Sequence, residues 1–488
     1  MHETNANMVR MPPIAASPTL SGTERRTAAP PWLVMLLVCA GQFLVVLDVS
    51  VVNVALPAMR TGLGLSELGL QWIVNAYVIT FAGFMLLGGR AADLFGRKRI
   101  FVVGLALFTV ASLAGGLAQE PWQLIAARTI QGVGAAVLSP ATLTILTTSF
   151  PAGPARTRAI ATWTAVGAGG GAVGGLVGGV LTQYLTWRWV LLINVPVGAL
   201  VLAGAALWLI ESRQGAARRL DVPGALLVTA GLALVAYGIV QTETDGWTSA
   251  SALLPLAAGL VVIAVFIAVE ARAKAPLMPL GLFRLRSVSS ANAAMVLAGA
   301  AMFSMWYFLS LYAQNVLAYT PFQAGLSFIP HSLSIVLGSK IGPRLMNRVG
   351  AKTLAIAGAV LSACGMAWQG TMDVNGTYLG TILGPGILMA LGAGLTATPV
   401  ASIATSGADP ADQGLVSGLI NTSRQMGGAL GLSVLSTIAA ARIAQGHGRA
   451  ALAAGYGLAF HVGAVVLLGS IALMILALPR RQTDIGHG

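Results

Sequence analysis

Asp48 is the residue with the most chemistry to offer. It lies in Leu47-Asp48-Val49-Ser50-Val51-Val52-Asn53-Val54-Ala55-Leu56-Pro57 and is the one acid placed inside an apolar run, Glu270 falling at the boundary of another. A charged side chain at mid-membrane costs at least ~2.5 kcal/mol on insertion scales, so such a residue is seldom idle. It can carry a proton, or it can serve as a hydrogen-bonding strut between helices. Arg128, in Arg128-Thr129-Ile130-Gln131-Gly132-Val133-Gly134, is a cation in equally apolar surroundings. It needs an acceptor, and Asp48 or a helix C-terminus can supply one. Arg424, in Asn421-Thr422-Ser423-Arg424-Gln425, is a second buried cation, for which tethering is as good an account as binding.

Other polar and aromatic residues interrupt the apolar runs. Gln42, Asn53, Trp72, Asn75, Tyr77, Trp306, Tyr307, Gln314 and His331 join Arg424 as candidates for the wall of an internal cavity. Aromatics near the ends of a run also serve as interfacial anchors. A different pattern occupies the loop Gly89-Arg90-Ala91-Ala92-Asp93-Leu94-Phe95-Gly96-Arg97-Lys98-Arg99. Gly89 and Gly96 permit a tight turn. Asp93 can cap a helix or pair with a nearby Arg, and Arg97 and Lys98 favour the cytoplasmic face; the ordered spacing, copied more weakly at 342–352, raises this cluster above an ordinary positive-inside anchor. Gly167, Gly174, Gly175, Gly178 and Gly179 belong to a run so rich in glycine that a soluble helix would lose about 1 kcal/mol at each. In a membrane such residues let helices approach closely.

These residues need a scaffold of membrane helices. The 488-residue chain is 56% hydrophobic and 9% charged, with a mean hydropathy of +0.81. Soluble domains carry about 25% charged residues. About 20 apolar residues cross a bilayer as a helix. Fourteen runs of that kind are expected, at roughly 32–56, 70–89, 100–118, 122–149, 158–183, 188–210, 223–241, 251–270, 288–314, 322–341, 351–370, 377–403, 413–440 and 455–479. With the N-terminus inside, 22 of the 28 basic residues fall in inside segments and four outside, which obeys the positive-inside rule and supports the even count.

The chain also repeats itself. Asp93-Leu94-Phe95-Gly96-Arg97-Lys98 recurs 254 residues on as Asn347-Arg348-Val349-Gly350-Ala351-Lys352, and the same offset carries Gly174 onto Gly428. Two related six-helix halves are a transporter pattern. The expected organisation is a disordered cytoplasmic tail (1–31), an N-terminal bundle (32–210), linkers around an inserted hairpin (211–287), a C-terminal bundle (288–479) and a cytoplasmic tail (480–488). The hairpin is expected at the periphery.

Several functions are disfavoured. Cys39 and Cys364 have no metal-ligand spacing. The net charge of +13 sits in short clusters between apolar runs, a membrane pattern and not a nucleic-acid one. No nucleophile–base pair or phosphate loop suggests a membrane enzyme, and no large soluble domain suggests a sensor. An importer of a sugar or organic acid remains an alternative, though its cavity would present more charged or hydroxyl-binding groups.

Taken together, these motifs resemble the fourteen-helix drug:proton antiporters of the major facilitator superfamily, over nearly the whole chain after residue 31. The loop at 89–99 is similar to that superfamily's signature between helices two and three. The helix-one run from Leu47-Asp48 to Asn53-Val54-Ala55-Leu56-Pro57 resembles this family's own motif, and so do Gln71-Trp72-Ile73-Val74-Asn75-Ala76-Tyr77, Trp187-Arg188-Trp189 with Ile193-Asn194-Val195-Pro196, and Asn421-Thr422-Ser423-Arg424-Gln425. The resemblance implies an all-α major facilitator fold and a multidrug exporter of the bacterial plasma membrane. Its energy would come from the proton gradient, with no cofactor. It makes Asp48 the protonation site, Arg128 its coupling partner and Asp93 part of a cytoplasmic gate. Two departures stand out: Gly175 where the antiporter motif has proline, and Asn347 where the second loop would have Asp. A monomer exporting neutral or weakly anionic lipophilic compounds is expected.

Overall fold

The computed structural model describes residues 30–151, 153–212, 220–273, 276–409 and 412–479. The terminal tails (1–31, apart from its last two residues, and 480–488) and the linker bases Arg213, Arg218, Arg219 and Lys274 lie outside the described residues.

The described chain is a bundle of fourteen helices: α1 (Pro31–Leu63), α2 (Glu67–Phe95), α3 (Arg97–Gly116), α4 (Pro121–Ser149), α5 (Pro154–Tyr184), α6 (Trp189–Trp208), α7 (Val222–Asp245), α8 (Ala250–Glu270), α9 (Arg286–Leu311), α10 (Pro321–Ser327 continued by Ile329–Val349), α11 (Ala351–Gln369), α12 (Tyr378–Ser406), α13 (Gln413–Ile443) and α14 (Gly448–Ala477). Thirteen are long and apolar enough to cross a membrane. The other is α10, which breaks at Phe328 and carries His331, Ser332, Ser339, Lys340 and Arg344. Its polarity follows from its position, since Ser332 and Ser339 face the internal cavity.

Sequence spacing ends the first helix at Leu56, before Pro57, whereas α1 runs on to Leu63 and stops at Gly64, whose φ of +62° favours glycine. A proline inside a helix leaves the carbonyl four residues earlier without its donor. Here that carbonyl belongs to Asn53, and Ser310 of α9 donates to it at 2.7 Å. Satisfying the orphaned acceptor from another helix is what lets the proline stay inside α1.

The repeat seen in the loops extends to the packing. α1 packs on α5, α2 on α4, α3 on α4 and on α6; eight helices later α9 packs on α13, α10 on α12, α11 on α12 and on α14. Between the two sets, α2 meets α13 and α5 meets α10. α7 leans on α2 and α13 together, with Trp72 beside Tyr237 and Gly83 against Thr229. α8 packs chiefly on α7 and leaves Leu253, Leu254, Leu260, Val261 and Ile267 exposed, a face suited to lipid. No residue of α7 or α8 lines the cavity described below.

Glycine sets the distances between helices. α5 carries two stripes, each with the four-residue spacing of one helix face. Gly170, Gly174 and Gly178 lie against Phe43, Leu47, Ser50 and Val51 of α1. Gly171, Gly175 and Gly179 face α10, so closely that a Cβ on Gly325 would lie 2.0 Å from the Gly175 carbonyl oxygen. Inside the first half, a Cβ on Gly134 would meet the backbone nitrogen of Phe108 at 2.6 Å, whereas one on Gly169 would meet nothing within 4 Å. Gly134→Ala should therefore destabilise the folded protein by about 1–3 kcal/mol through overpacking, and Gly169→Ala should be close to neutral. Thermal unfolding of the two purified variants measures the contrast; equal shifts would contradict it.

Candidate functional site

Asp48 of α1 is fully buried, and the side chains that meet its carboxylate come from α4 and α6. Arg128 Nη1 donates to Asp48 Oδ2 at 2.5 Å. Gln131 Nε2 donates to Asp48 Oδ1 at 2.7 Å, and Asn194 Nδ2 reaches the same oxygen at 3.0 Å. Gln131 and Asn194 also donate to the Ser112 hydroxyl, at 2.7 and 3.3 Å. Arg128 is satisfied further by Gln131 Oε1 at 2.7 Å and by the Ile73 carbonyl, to which its Nε donates at 3.2 Å. Its guanidinium lies 4.2 Å from the ring centroid of Tyr77, a cation–π contact in a desolvated place.

Local sequence explains why this network assembles. Arg128 and Gln131 are three residues apart and share one face of α4. Asn194 stands where α6 is interrupted between Leu192 and Asn194. Pro196 removes the donor for the Leu192 carbonyl, which favours the break. Asp48, Arg128 and Tyr77 are all marked by the sequence, but Tyr77 packs on the ion pair and not in the expected cavity wall. Ser112, Gln131 and Asn194 were not among the expected site residues. The signal available was the Arg128-x-x-Gln131 spacing and a lone Asn194 in an apolar run.

The cavity is separate. It holds about 530 Å³ between the two halves. Its apolar wall includes Val46, Val49, Phe81, Met302, Phe303 and Trp306; its polar wall includes Gln42, Asn53, Ser139, Ser332, Thr396 and Arg424. Of the expected cavity residues, Gln42, Asn53, Trp306 and Arg424 line it. The others do not, each for a packing reason. Trp72 packs beside Tyr237 of α7. Asn75 donates to Ser433 across the halves at 2.9 Å. Tyr77 lies under Arg128. Tyr307 is buried against Phe308. Gln314 donates to the Val54 carbonyl at 2.9 Å. His331 is buried, its Nε2 2.9 Å from the Ile382 carbonyl.

Arg424 is the one charged residue on the wall among the described residues. Its backbone is pressed against Gly299 of α9, which fixes where its side chain starts. The guanidinium donates to Asn421 of its own helix at 2.8 Å, and among the described residues no carboxylate pairs with it.

The cavity has a sealed end and an extended one. The seal lies where α1 joins α2 and α9 joins α10, with Asn53, Val54, Trp306 and Phe328 at its ceiling. There Gly179 abuts Pro321 and Phe322, and the Phe322 amide donates to Gln183 at 3.2 Å. Towards the other end the wall continues past Gln42, Ser139, Ser339 and Asn421.

At that other end, the loop motif forms a clasp. Gly96 turns at φ +104°, and the amides of Lys98 and Arg99 both donate at 3.1 Å to the carboxylate of Glu211. A Cβ on Gly96 would collide with that carboxylate. Lys98 Nζ donates to the Ala206 carbonyl near the end of α6 at 2.7 Å. Asp93 does not cap a helix; it pairs with Arg97 at 3.5 Å. Gly89 lies at the Pro140 side chain of α4. The second half repeats the turn and the lysine: Gly350 has φ +85°, and Lys352 donates to the Ile475 and Leu478 carbonyls at the end of α14. Glu211 was absent from the sequence reading, since nothing in the spacing ties residue 211 to residue 98.

Comparison with known proteins agrees with this architecture. The family description "Major Facilitator Superfamily" matches residues 38–432. The chain is 49% identical to a cephamycin export protein from Amycolatopsis lactamdurans, over 91% of this chain and 92% of that one. It is 38% identical to a puromycin resistance protein from Streptomyces alboniger, over 96% of each. Among solved structures, the POT family transporter PepTSo superposes with a TM-score of 0.69 at 16% identity, over 92% of this chain and 99% of that one. The two-half bundle, its central cavity and these matches together establish that the chain belongs to the major facilitator superfamily, in its drug-efflux branch.

Proposed function

We propose that this protein exports lipophilic small molecules, antibiotics or secondary metabolites among them, across the bacterial plasma membrane in exchange for protons. Both termini face the cytoplasm in this reading, a single chain is the working unit, and the sealed end of the cavity is the outer one. The observation that carries it is the separation of the two sites. Asp48 has no solvent exposure and is absent from the cavity wall, while the cavity opposes a mostly apolar surface to its cargo. A proton reaching Asp48 would cancel the charge that holds Arg128 without displacing the cargo. Coupling then passes through movement of α1, which carries Asp48 on one side and lines the cavity with Val46, Val49 and Ser50 on another. The relatives' names, cephamycin export and puromycin resistance, support the outward direction and the chemical size of the cargo.

The lone cation on the wall and the lack of a lining carboxylate among the described residues favour neutral or weakly anionic cargo over organic dications. One neutral molecule exchanged for one proton gains about 2.3 kcal/mol per 100 mV, or roughly fifty-fold accumulation. In vesicles with an imposed voltage and no pH difference, a neutral lipophilic compound should be exported. Robust transport of dications with none of neutral compounds would contradict this assignment.

Asp48→Asn keeps a hydrogen-bonding side chain but cannot exchange a proton. It should abolish gradient-driven export while cargo affinity stays within about threefold, because no cargo contact is removed. Full proton-coupled transport by this variant would remove Asp48 from the mechanism, and a large loss of affinity would place it in the cavity after all.

The clasp gives a kinetic expectation. The Asp93–Arg97 pair is long and its carboxylate is 41% exposed, so it adds at most about 1 kcal/mol to stability. Asp93→Asn and Glu211→Gln should slow the transport cycle more than they weaken binding. Unchanged maximal rates with reduced affinity would argue against a gate.

A further inference from the structure

We infer that Ser310, near the end of α9, and Gln314, in the turn that follows it, are the latch that holds the outer end of the transporter shut, by gripping the α1 carbonyl that Pro57 orphans and the carbonyl next to it. Pro57 has no N–H, so the Asn53 carbonyl has no donor within α1. Ser310 Oγ donates to it across the halves at 2.7 Å, and Ser310 is fully buried. Gln314 Nε2 donates to the Val54 carbonyl at 2.9 Å and to Ser310 Oγ at 3.1 Å. The four groups form one chain of hydrogen bonds, running from Gln314 through Ser310 to Asn53 with a branch to Val54. Gln314 is placed by the π-helical turn Tyr312–Val316 that ends α9, a geometry that re-aims side chains from the regular helical register.

These are positioning residues, since neither Ser310 nor Gln314 lines the cavity. The bonds join helices of opposite halves, α1 and α9, at the cavity ceiling formed by Asn53 and Val54. Opening the cavity outward must break them. Reclosure restores them without a side-chain acceptor having to find its place, because a backbone carbonyl on a helix is already aimed. The latch therefore favours the outward-closed state by the worth of two bonds. The same proline that exposes the acceptor makes this grip unavailable to α1 itself.

The inference rests on the two halves rocking about the cavity, as proposed above, but its test needs neither cargo nor gradient, so a loss of proton coupling would leave it standing. Spin labels are introduced by Leu117→Cys and Val374→Cys, exposed positions at the outer ends of α3 and α11, in full-length protein carrying Cys39→Ala and Cys364→Ala. Distance distributions are recorded in lipid vesicles. Ser310→Ala and Gln314→Ala should each raise the ratio of long to short distances by about two- to tenfold, the worth of one neutral hydrogen bond. Ser310→Thr, which keeps the hydroxyl, should restore the original ratio. Pro57→Ala supplies an amide that competes for the Asn53 carbonyl, so it should shift the ratio as Ser310→Ala does, and the two together should shift it no further. Wild-type distributions in both Ser310→Ala and Gln314→Ala would overturn the latch. So would a Pro57→Ala, Ser310→Ala double shift equal to the product of the single ones, since the two changes would then act on different contacts.

Discussion

A charge buried in a membrane protein must be met by another charge and by hydrogen bonds, and the first half of this bundle is organised around that requirement at Asp48. Three helices supply it: α4 gives Arg128 and Gln131, α6 gives Asn194, and α3 gives Ser112 as the relay that holds the two amides. Removing one partner of a buried pair typically costs about 3–5 kcal/mol because the other charge is left unpaired, so arrangements of α1 and α4 that separate Asp48 from Arg128 are penalised. The glycines of α5 then seat that helix against α1 with no α5 side chain between them. In the proposed cycle such a half would move as a unit about the central cavity.

The second half has the same helices and a different centre. At the 254-residue offset, Tyr77 corresponds to His331, Arg128 to Ile382 and Asp48 to Met302. The geometry keeps the correspondence. Gly132 makes room for the Tyr77 backbone, and Gly386 makes room for the His331 ring. Where Tyr77 stacks under the Arg128 guanidinium, His331 meets the Ile382 carbonyl, freed by the π-helical opening of α12. The second half shares the helix crossings and has Met302 and Ile382 where the first has its ion pair. The buried ion pair sits in one half; the other offers Met302, Phe303, Trp306 and Arg424 to the cavity.

How far the sequence revealed this depends on the distance over which each feature acts. The helices follow from runs of apolar residues, a local property, and α10 is difficult because its polar side faces a cavity that exists only after folding. Gly96 and Gly350 announce their turns, since a positive φ is decided by one residue. Asp48 and Arg128 were visible because an isolated charge in a span demands an explanation wherever its partner lies. Glu211, Ser112 and Ser310 were not visible: a carboxylate in a loop and hydroxyls in apolar helices are unremarkable until the fold brings them to a bare helix end or an orphaned carbonyl. The same limit explains Gln314, His331 and Asn75. Their polarity marked them as important, but polarity cannot tell a cavity wall from a contact between helices.

The helix that joins these parts is α1. Asp48 and Asn53 are five residues apart, about 8 Å along the axis, and they serve different partners: Asp48 is held by α4 and α6 of its own half, Asn53 by α9 of the other. Between them Val49 and Ser50 face the cavity, and the Ser50 hydroxyl is tied to the Gly171 carbonyl of α5 at 2.7 Å. A helix cannot shift at one of these points and stay fixed at the others, because its interior is close-packed and its own hydrogen bonds run end to end. Pro57 relaxes that rigidity where the latch lies, by omitting one of those bonds. In the proposed cycle, neutralising Asp48 would therefore act on the outer closure through the backbone of a single helix, with the cavity wall between them registering the same displacement.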